Sequence, residues 1–241
     1  MNVKYLFLVF LLFSNLKLSF SQEPIPASAN LFSTKTCPYG PAAAKAIYQI
    51  IDENPPDSLI FFEFHPATEN SSFCNSPYSD TLFNDLQIPW VPTVVFNFMG
   101  YIGGGYDGSY RLYQTIMYER RKFKKFDNFG VKITVNHIIN SDTIFAKIKG
   151  EYSENLSSNY FDKEWIIYSL LVEDNIFYNA PNGQNYFRNI VRDIHRFKVI
   201  PNIDSLKFNL AKRTFVIQDT FLIKDEYNRD NFFTWTISSC I

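Results

Sequence analysis

Cysteine is the residue with the most chemical potential in this 241-residue chain, which contains Cys37, Cys74 and Cys240. Cys37 lies in the turn Thr36-Cys37-Pro38-Tyr39-Gly40-Pro41, directly before a segment whose apolar spacing predicts a helix. At the start of a helix, unpaired backbone N–H groups and the helix dipole favour a thiolate over a thiol. Cys37 is therefore the candidate nucleophile.

Three interpretations of Cys37 stay open on the sequence alone. It is a reactive monothiol that forms mixed disulfides, a buried free thiol, or one half of a structural bridge to Cys74 that would stabilise the fold by about 3 to 4 kcal/mol. An odd number of cysteines leaves at least one thiol free, reactive or paired with another chain. Cys240, one residue from the end, is a further pairing candidate.

Residues 1–21 predict a signal peptide, removed before Gln22. A short basic start precedes nine apolar residues, Tyr5 to Phe13, and small residues stand at Ser19 and Ser21. Nine residues are too few for the ~20 that span a bilayer. We therefore expect a secreted or extracytoplasmic protein (extracellular, periplasmic, on the cell surface or in the secretory lumen) with no integral membrane span after cleavage, in a compartment where disulfides persist.

Composition excludes several classes of function. Lys and Arg number 23 against 24 Asp and Glu, so the basic footprint of a nucleic-acid-binding protein is missing. Only three His residues are present, and we expect no metal and no cofactor. The G-x-G-x-x-G run at 103–108 falls at the end of a domain rather than at its first strand-to-helix turn, which favours a plain turn over dinucleotide binding.

Other polar features have structural interpretations. The basic cluster at 120–125 suits the C-terminal end of a helix, where the dipole favours cations. His65 follows a predicted strand and is interpreted as a polar loop residue, with a metal or acid–base role as the alternative. The sequons at Asn70 and Asn155 would carry glycans only in a eukaryotic host.

The elements that position Cys37 fall into two regimes that meet near 125–130. The first alternates strands and helices: a strand ending at Leu31-Phe32, a helix over 42–52, buried strands over 59–64 and 92–98, and a helix over 109–126. From Val131 onward short strands dominate, at 131–135, 144–148, 165–172, 206–210, 215–223 and 232–237. This pattern predicts an α/β domain over 22–126 and an all-β, sandwich-like domain over 131–241.

The turn at Cys37 and the run Ile88-Pro89-Trp90-Val91-Pro92-Thr93 together resemble the thioredoxin fold, in which the proline matching Pro92 is cis and lies against the active-site cysteine. With Phe32-Ser33-Thr34 before the turn and a β-rich second half, the chain more closely resembles the bacterial outer membrane protein 28-related family. That resemblance implies an exported thioredoxin-like domain followed by a β domain.

Two departures weaken the catalytic implication of this resemblance. The thioredoxin pattern is C-x-x-C, and Gly40 stands in place of the second cysteine. Leu31 stands where thioredoxins carry a buried acid. We therefore expect a non-enzymatic or structural module whose groove beside Cys37 and Pro92 binds a protein or peptide.

The rival hypothesis is a monothiol oxidoreductase or isomerase resembling the one-cysteine glutaredoxins. Cys37 would be its nucleophile, Pro92 would shape the groove, and Cys74 would be a distant resolving thiol. A third hypothesis is surface attachment through the β domain, which the outer-membrane location of the family implies.

Overall fold

The fold is described from a computed structural model, which covers residues 26–56, 58–66, 79–98, 100–122, 131–152, 165–199, 208–209, 214–224 and 232–240. It is a mixed α/β, strand-rich architecture. Strands form a seven-stranded sheet, a four-stranded sheet and a two-stranded hairpin. The signal peptide expected over 1–21 and the sequons at Asn70 and Asn155 lie outside the described residues.

A β-α-β unit opens the described chain, as the sequence predicts. β1 (Ala27–Phe32) leads through the Cys37 turn to α1 (Gly40–Glu53), and β2 (Leu59–Phe64) returns parallel to β1. Pro41 lies in the first turn of α1, where its missing N–H costs nothing. The helix ends at Asn54, whose side chain donates to the carbonyl of Ile50 at 2.7 Å.

After the β-α-β unit, the chain contains two elements that the sequence did not predict. α2 (Ser79–Asp85) lies in the segment expected to be a polar loop, and β4 (Tyr101–Gly103) pairs antiparallel with β3 (Thr93–Phe96). α3 spans Ser109–Lys122, beginning where the sequence predicts. β3 also pairs antiparallel with β1, so β1 lies between β2 and β3.

Most strands of the second regime lie where their alternation predicts. The structure gives β5 (Val131–Asn140), β6 (Thr143–Tyr152), β7 (Trp165–Glu173), β8 (Ile176–Phe177), β9 (Tyr186–Phe187), β10 (Ile190–Val199), β11 (Phe208–Asn209), β12 (Thr214–Leu222) and β13 (Phe232–Cys240). β10 was not predicted, because charged residues and a bulge between Val191 and Asp193 interrupt its alternation. One of these charges, Arg192, is buried against Glu173 at 2.7 Å.

The boundary expected near 125–130 does not separate the sheets. β7, β10 and β13, all from the second regime, extend the sheet that β1 to β4 begin, and β10 pairs parallel with β2 at Ile190 and Glu63. The all-β part therefore contributes strands to the seven-stranded sheet, whose order is β13-β7-β10-β2-β1-β3-β4, and also forms the four-stranded sheet, whose order is β11-β12-β6-β5. Its two-layer packing joins the four-stranded sheet to the β7 side of the seven-stranded one.

Both faces of β7 are buried, which explains why its sequence is apolar from 165 to 172 except at Ser169. Trp165 and Ile167 face the four-stranded sheet, where they pack on Ile148 and Phe215. The alternate β7 residues Ile166, Tyr168, Leu170 and Val172 face the opposite side. There they form a cluster with Phe32, Phe62, Phe64, Leu82 and Val95. A strand buried on both faces carries no polar alternation.

The helices α1 and α3 cover the other face of β1, β2 and β3. This core contains Ala29, Leu31, Ala43, Ala46, Ile47, Ile50, Phe61, Val94, Phe96, Tyr113 and Met117. None of the described helices has the length and apolar character needed to cross a membrane.

Candidate functional site

The Cys37 turn is a tight structure at the end of β1. The Cys37 N–H donates to the Thr34 carbonyl and the Gly40 N–H donates to the Cys37 carbonyl, both at 3.1 Å. Cys37 is a free thiol and only 7% exposed. It is placed just before α1, as the sequence predicts, but it is enclosed by protein.

Gly40 is the reason that this turn can close. A Cβ at Gly40 would stand 2.6 Å from the buried hydroxyl of Ser33 and 3.7 Å from the Cβ of Cys37. A cysteine at this position, as in C-x-x-C, would therefore have to displace Ser33. The second cysteine is missing from the sequence, and the Ser33 hydroxyl occupies the space that its Cβ would need.

Strand register brings three turns to one edge of the sheet. Phe32 on β1 lies opposite Thr93 on β3, and Thr93 lies opposite Gly103 on β4. The turn after Phe32, the turn before Thr93 and the turn after Gly103 are therefore neighbours. Cys37 and Pro92 lie in the first and second of these turns.

The turn before β3 is held by its own hydrogen bond. Thr93 Oγ1 donates to the Trp90 carbonyl at 2.6 Å, and Thr93 and Pro92 are buried. The Val91–Pro92 peptide bond is cis, as the thioredoxin resemblance implies. Trp90 itself stays 58% exposed.

Exposed aromatic side chains surround these turns, and we call Tyr39, Trp90 and Tyr106 the aromatic rim. Tyr39 is 60% and Tyr106 is 54% exposed. Gly105 has a positive φ of 84°, and a Cβ there would meet the Tyr39 carbonyl at 2.3 Å. The glycine run at 103–108, interpreted as a plain turn, thus packs against Tyr39. α3 begins directly after this run.

A hairpin from the second half of the chain reaches the same turn from the other side. Asn182 Nδ2 donates to the carbonyls of Cys37 at 3.0 Å and Thr34 at 3.3 Å. Its backbone N–H donates to the Lys35 carbonyl at 3.1 Å. The Asn182 side-chain oxygen in turn accepts from the Gln184 N–H at 3.0 Å, which fixes the amide.

A buried polar network lies on β2, next to β1. Glu63 is fully buried and accepts hydrogen bonds from Tyr48 Oη and from His65 Nε2, both at 3.0 Å. Burial, followed by the neighbouring Glu63 charge, raises the pKa of Tyr48 far above its ordinary value of 10.0. The phenol therefore stays protonated and donates.

This network corrects the interpretation of His65 as a polar loop residue. His65 does follow β2, but it is only 1% exposed and packs on Phe187 at 6.1 Å between ring centres. Glu63 also stands opposite Leu31, the position where thioredoxins carry their acid. The buried carboxylate thus lies on β2, the strand next to Leu31, and no local sequence pattern predicts this pairing.

Of the other two cysteines, the structure describes one. Cys74 lies outside the described residues, and Cys240 lies on the edge strand β13, opposite Trp165. Within the described ranges, no group of three or more His, Cys, Asp or Glu residues is arranged to hold a metal ion. The basic cluster reaches the end of α3 at Arg120, Arg121 and Lys122, and its other members, Lys124 and Lys125, lie outside the described residues.

Sequence reasoning missed the contacts that define the site. Pro181-Asn182-Gly183 signals a turn, but no local pattern says that Asn182 reaches a turn 145 residues earlier. Trp90 and Tyr39 are two of 43 aromatic residues, most of which suit a core. Only the fold distinguishes an exposed aromatic from a buried one.

Comparisons with known proteins give a likeness of fold. No family model matches the chain, and no curated protein sequence matches it significantly. Among solved structures, it is similar to HBP35 of Porphyromonas gingivalis, with a TM-score of 0.65 and 15% identity, covering 89% of this chain and 69% of that one. A structural-genomics protein of Agrobacterium tumefaciens gives a TM-score of 0.45 and 12% identity, covering 86% of this chain and 98% of that one.

Proposed function

We propose that this is an exported protein whose first part is a thioredoxin-like domain of the outer membrane protein 28-related kind. That domain acts as a non-enzymatic binding module for an extended peptide segment of a partner. The aromatic rim is the observation that carries this proposal. The partner would lie across the three turns that contain Cys37, Pro92 and Gly105.

The order of elements supports the thioredoxin-like assignment. A β-α-β unit with parallel β1 and β2 is followed by the antiparallel pair β3-β4 and by α3. α1 and α3 pack on the same face of the sheet. This is the arrangement that the resemblance implies for residues 22–126.

Exposure and rigidity of the rim support a binding role. Tyrosine and tryptophan are the residues that most often dominate binding energy, because they bury a large area at a small entropic cost. Tyr39 is held against Gly105, and the carbonyl of Trp90 is held by Thr93. The side chains are therefore presented on a fixed backbone.

The surroundings of Cys37 favour binding over redox chemistry. Reactive cysteines are partly exposed, whereas buried ones are inert, and Cys37 is 7% exposed. No second thiol follows in the turn. The rival function, a monothiol oxidoreductase or isomerase with Cys37 as nucleophile, Pro92 in the groove and Cys74 as resolving thiol, requires the turn to open.

A displayed library of random extended peptides, selected on the full mature chain, tests the proposal. We expect selected peptides to quench or shift Trp90 fluorescence. Trp90→Ala and Tyr39→Ala should each weaken binding at least tenfold, as interface aromatics do. Ile138→Ala, at a 71% exposed apolar residue on β5, is the matched control and should bind normally.

Two results would overturn the binding-module proposal. One is peptide binding that is equally strong in the rim variants and in wild type. The other is a native Cys37 that forms mixed disulfides with peptide thiols at the rate of an exposed thiolate, which would establish the oxidoreductase instead. Localisation outside the cytoplasm is tested separately, by the N-terminus of the mature protein, which we expect at Gln22.

A further inference from the structure

The hairpin β8-β9 has an outer side that takes no part in holding the Cys37 turn. Phe177 on this side is 81% exposed, more than any other large apolar side chain among the described residues. Its neighbours Ile176 and Phe187 point inward and are buried. Covering a phenylalanine ring is favourable because it removes apolar surface from water, so a ligand that packs on this ring would gain binding free energy.

The ring of Phe177 is held in place. It lies 5.2 Å from the ring of Tyr186, at an interplanar angle of 42°. The Tyr186 hydroxyl donates to Asn175 Oδ1 at 2.6 Å, and the Tyr186 ring packs on Tyr48 at 6.1 Å. Phe177 is therefore a supported aromatic platform rather than a loose side chain.

An open cleft of about 250 Å³ adjoins this platform and is lined by Phe177, Tyr178, Asn179 and Asn185. Both asparagines are exposed. The Tyr178 N–H donates to the Asn185 carbonyl at 3.2 Å, which joins two of the lining residues. The cleft is smaller than the ~300–1,000 Å³ of pockets that enclose a drug-sized ligand, so it suits a single ring of a larger molecule.

We propose that this cleft binds one ring of a neutral saccharide. An aromatic face carries a negative quadrupole that attracts the polarised C–H groups on the flat side of a sugar. Each asparagine amide offers two donors and an acceptor, which match ring hydroxyls. None of the four lining side chains is charged, which favours a neutral ligand over a nucleotide or an acidic sugar.

This proposal does not depend on the peptide-binding function. The cleft and the aromatic rim share no residue, and the rim lies beyond the Cys37 turn from the hairpin. Saccharide binding would be lost on changes at Phe177, and peptide binding would be lost on changes at Trp90. Failure of one function therefore leaves the other measurable.

Saturation-transfer NMR on the full mature chain tests the cleft. The probes are neutral hexasaccharides of glucose (α- and β-linked), xylose, mannose and N-acetylglucosamine, with hexagalacturonate as a charged comparison. We expect transfer to ring C–H protons of at least one neutral probe and none to hexagalacturonate. Phe177→Ala should weaken that binding at least tenfold, and Asn185→Asp should weaken it because a carboxylate cannot donate to a ring hydroxyl as the amide does.

Leu222→Ala is the matched control, because Leu222 is 67% exposed on the four-stranded sheet. This variant should bind the saccharide as wild type does. Equal melting temperatures would show that the variants are folded. The proposal is overturned if no neutral hexasaccharide binds, if Phe177→Ala binds as tightly as wild type, or if the charged probe binds as well as the neutral ones.

Discussion

Asn182 Nδ2 donates a hydrogen bond to the carbonyl oxygen of Cys37 at 3.0 Å, across 145 residues of sequence. Asn182 also donates to the carbonyls of Thr34 and Lys35. It therefore holds three of the four residues 34–37. The backbone around Cys37 is thus held by contacts made from the second half of the chain.

Replacement of Asn182 should expose Cys37. Asn182→Ala removes three side-chain hydrogen bonds, two donated to Thr34 and Cys37 and one accepted from Gln184, so we expect it to lower the free energy of unfolding by about 1–3 kcal/mol. Native alkylation of Cys37, followed by mass spectrometry, should become at least tenfold faster. Asn136→Ala, at an exposed asparagine on β5, should leave the rate unchanged, and an equally slow Asn182→Ala variant would show that the hairpin does not enclose the thiol.

Gly105 should tolerate no side chain. Gly105→Ala forces a Cβ against the Tyr39 carbonyl, in addition to the cost of a positive φ. We expect a loss of at least about 1–3 kcal/mol together with weaker peptide binding. Gly100→Ala has a similar φ of 79° with nothing within 4 Å, so it isolates the backbone cost. Equal losses in denaturant unfolding of the two variants would contradict the close packing of Tyr39.

The network around Glu63 should be sensitive to loss of any member. Tyr48 donates to Glu63 and accepts the Arg188 N–H at 3.0 Å. Tyr48→Phe should therefore cost about 1–3 kcal/mol of unfolding free energy, and Glu63→Ala about 3–5 kcal/mol, because buried donors lose their acceptor. Tyr118→Phe, at an exposed tyrosine, should change stability by less than about 0.5 kcal/mol. Urea titrations would measure all three, and a neutral Tyr48→Phe would argue against the network.

His195 and Asp219 should make stability depend on pH, because they join the two sheets by a bond of 2.7 Å. The hydrogen bond to Asp219 raises the pKa of His195 above its ordinary 6.5, with Asp193 adding to the effect. Burial alone would raise the pKa of Asp219, but hydrogen bonding, first from His195, outweighs it and lowers the pKa below 3.8.

The two directions define a pH window. The raised pKa of His195 means that its contribution is complete below about pH 6.5 and is lost as pH rises through the folded value. The lowered pKa of Asp219 means that its contribution is lost only as pH falls through its folded value. We expect Asp219→Asn to cost about 1 kcal/mol near pH 5.5 and less above about pH 8. Asp107→Asn is the exposed control, and a cost that stays constant across this range would contradict the pairing.

Local patterns were sufficient for the β-α-β unit and for most strands of the second half. Leu59–Phe64 and Ser109 as a helix start follow directly from apolar runs and turn residues. β10 could not be predicted, because its buried Arg192 is acceptable only when paired with Glu173, a contact that no local window contains. The same holds for the site: the position of Cys37 was predictable from its turn, whereas its enclosure by Asn182 and the exposure of Trp90 depend on the tertiary fold.

The pairing of β2 with β10 can form only after β10 has been synthesised. β2 is an apolar strand in the middle of the seven-stranded sheet, and its outer edge stays unpaired until residue 190 has been made. An unpaired apolar edge invites association with other chains, and such distant pairings form slowly. A nascent or truncated chain ending near residue 126 would therefore expose the unpaired edge of β2. We expect the truncated chain to aggregate, and the nascent chain to need a chaperone until the second half has been synthesised.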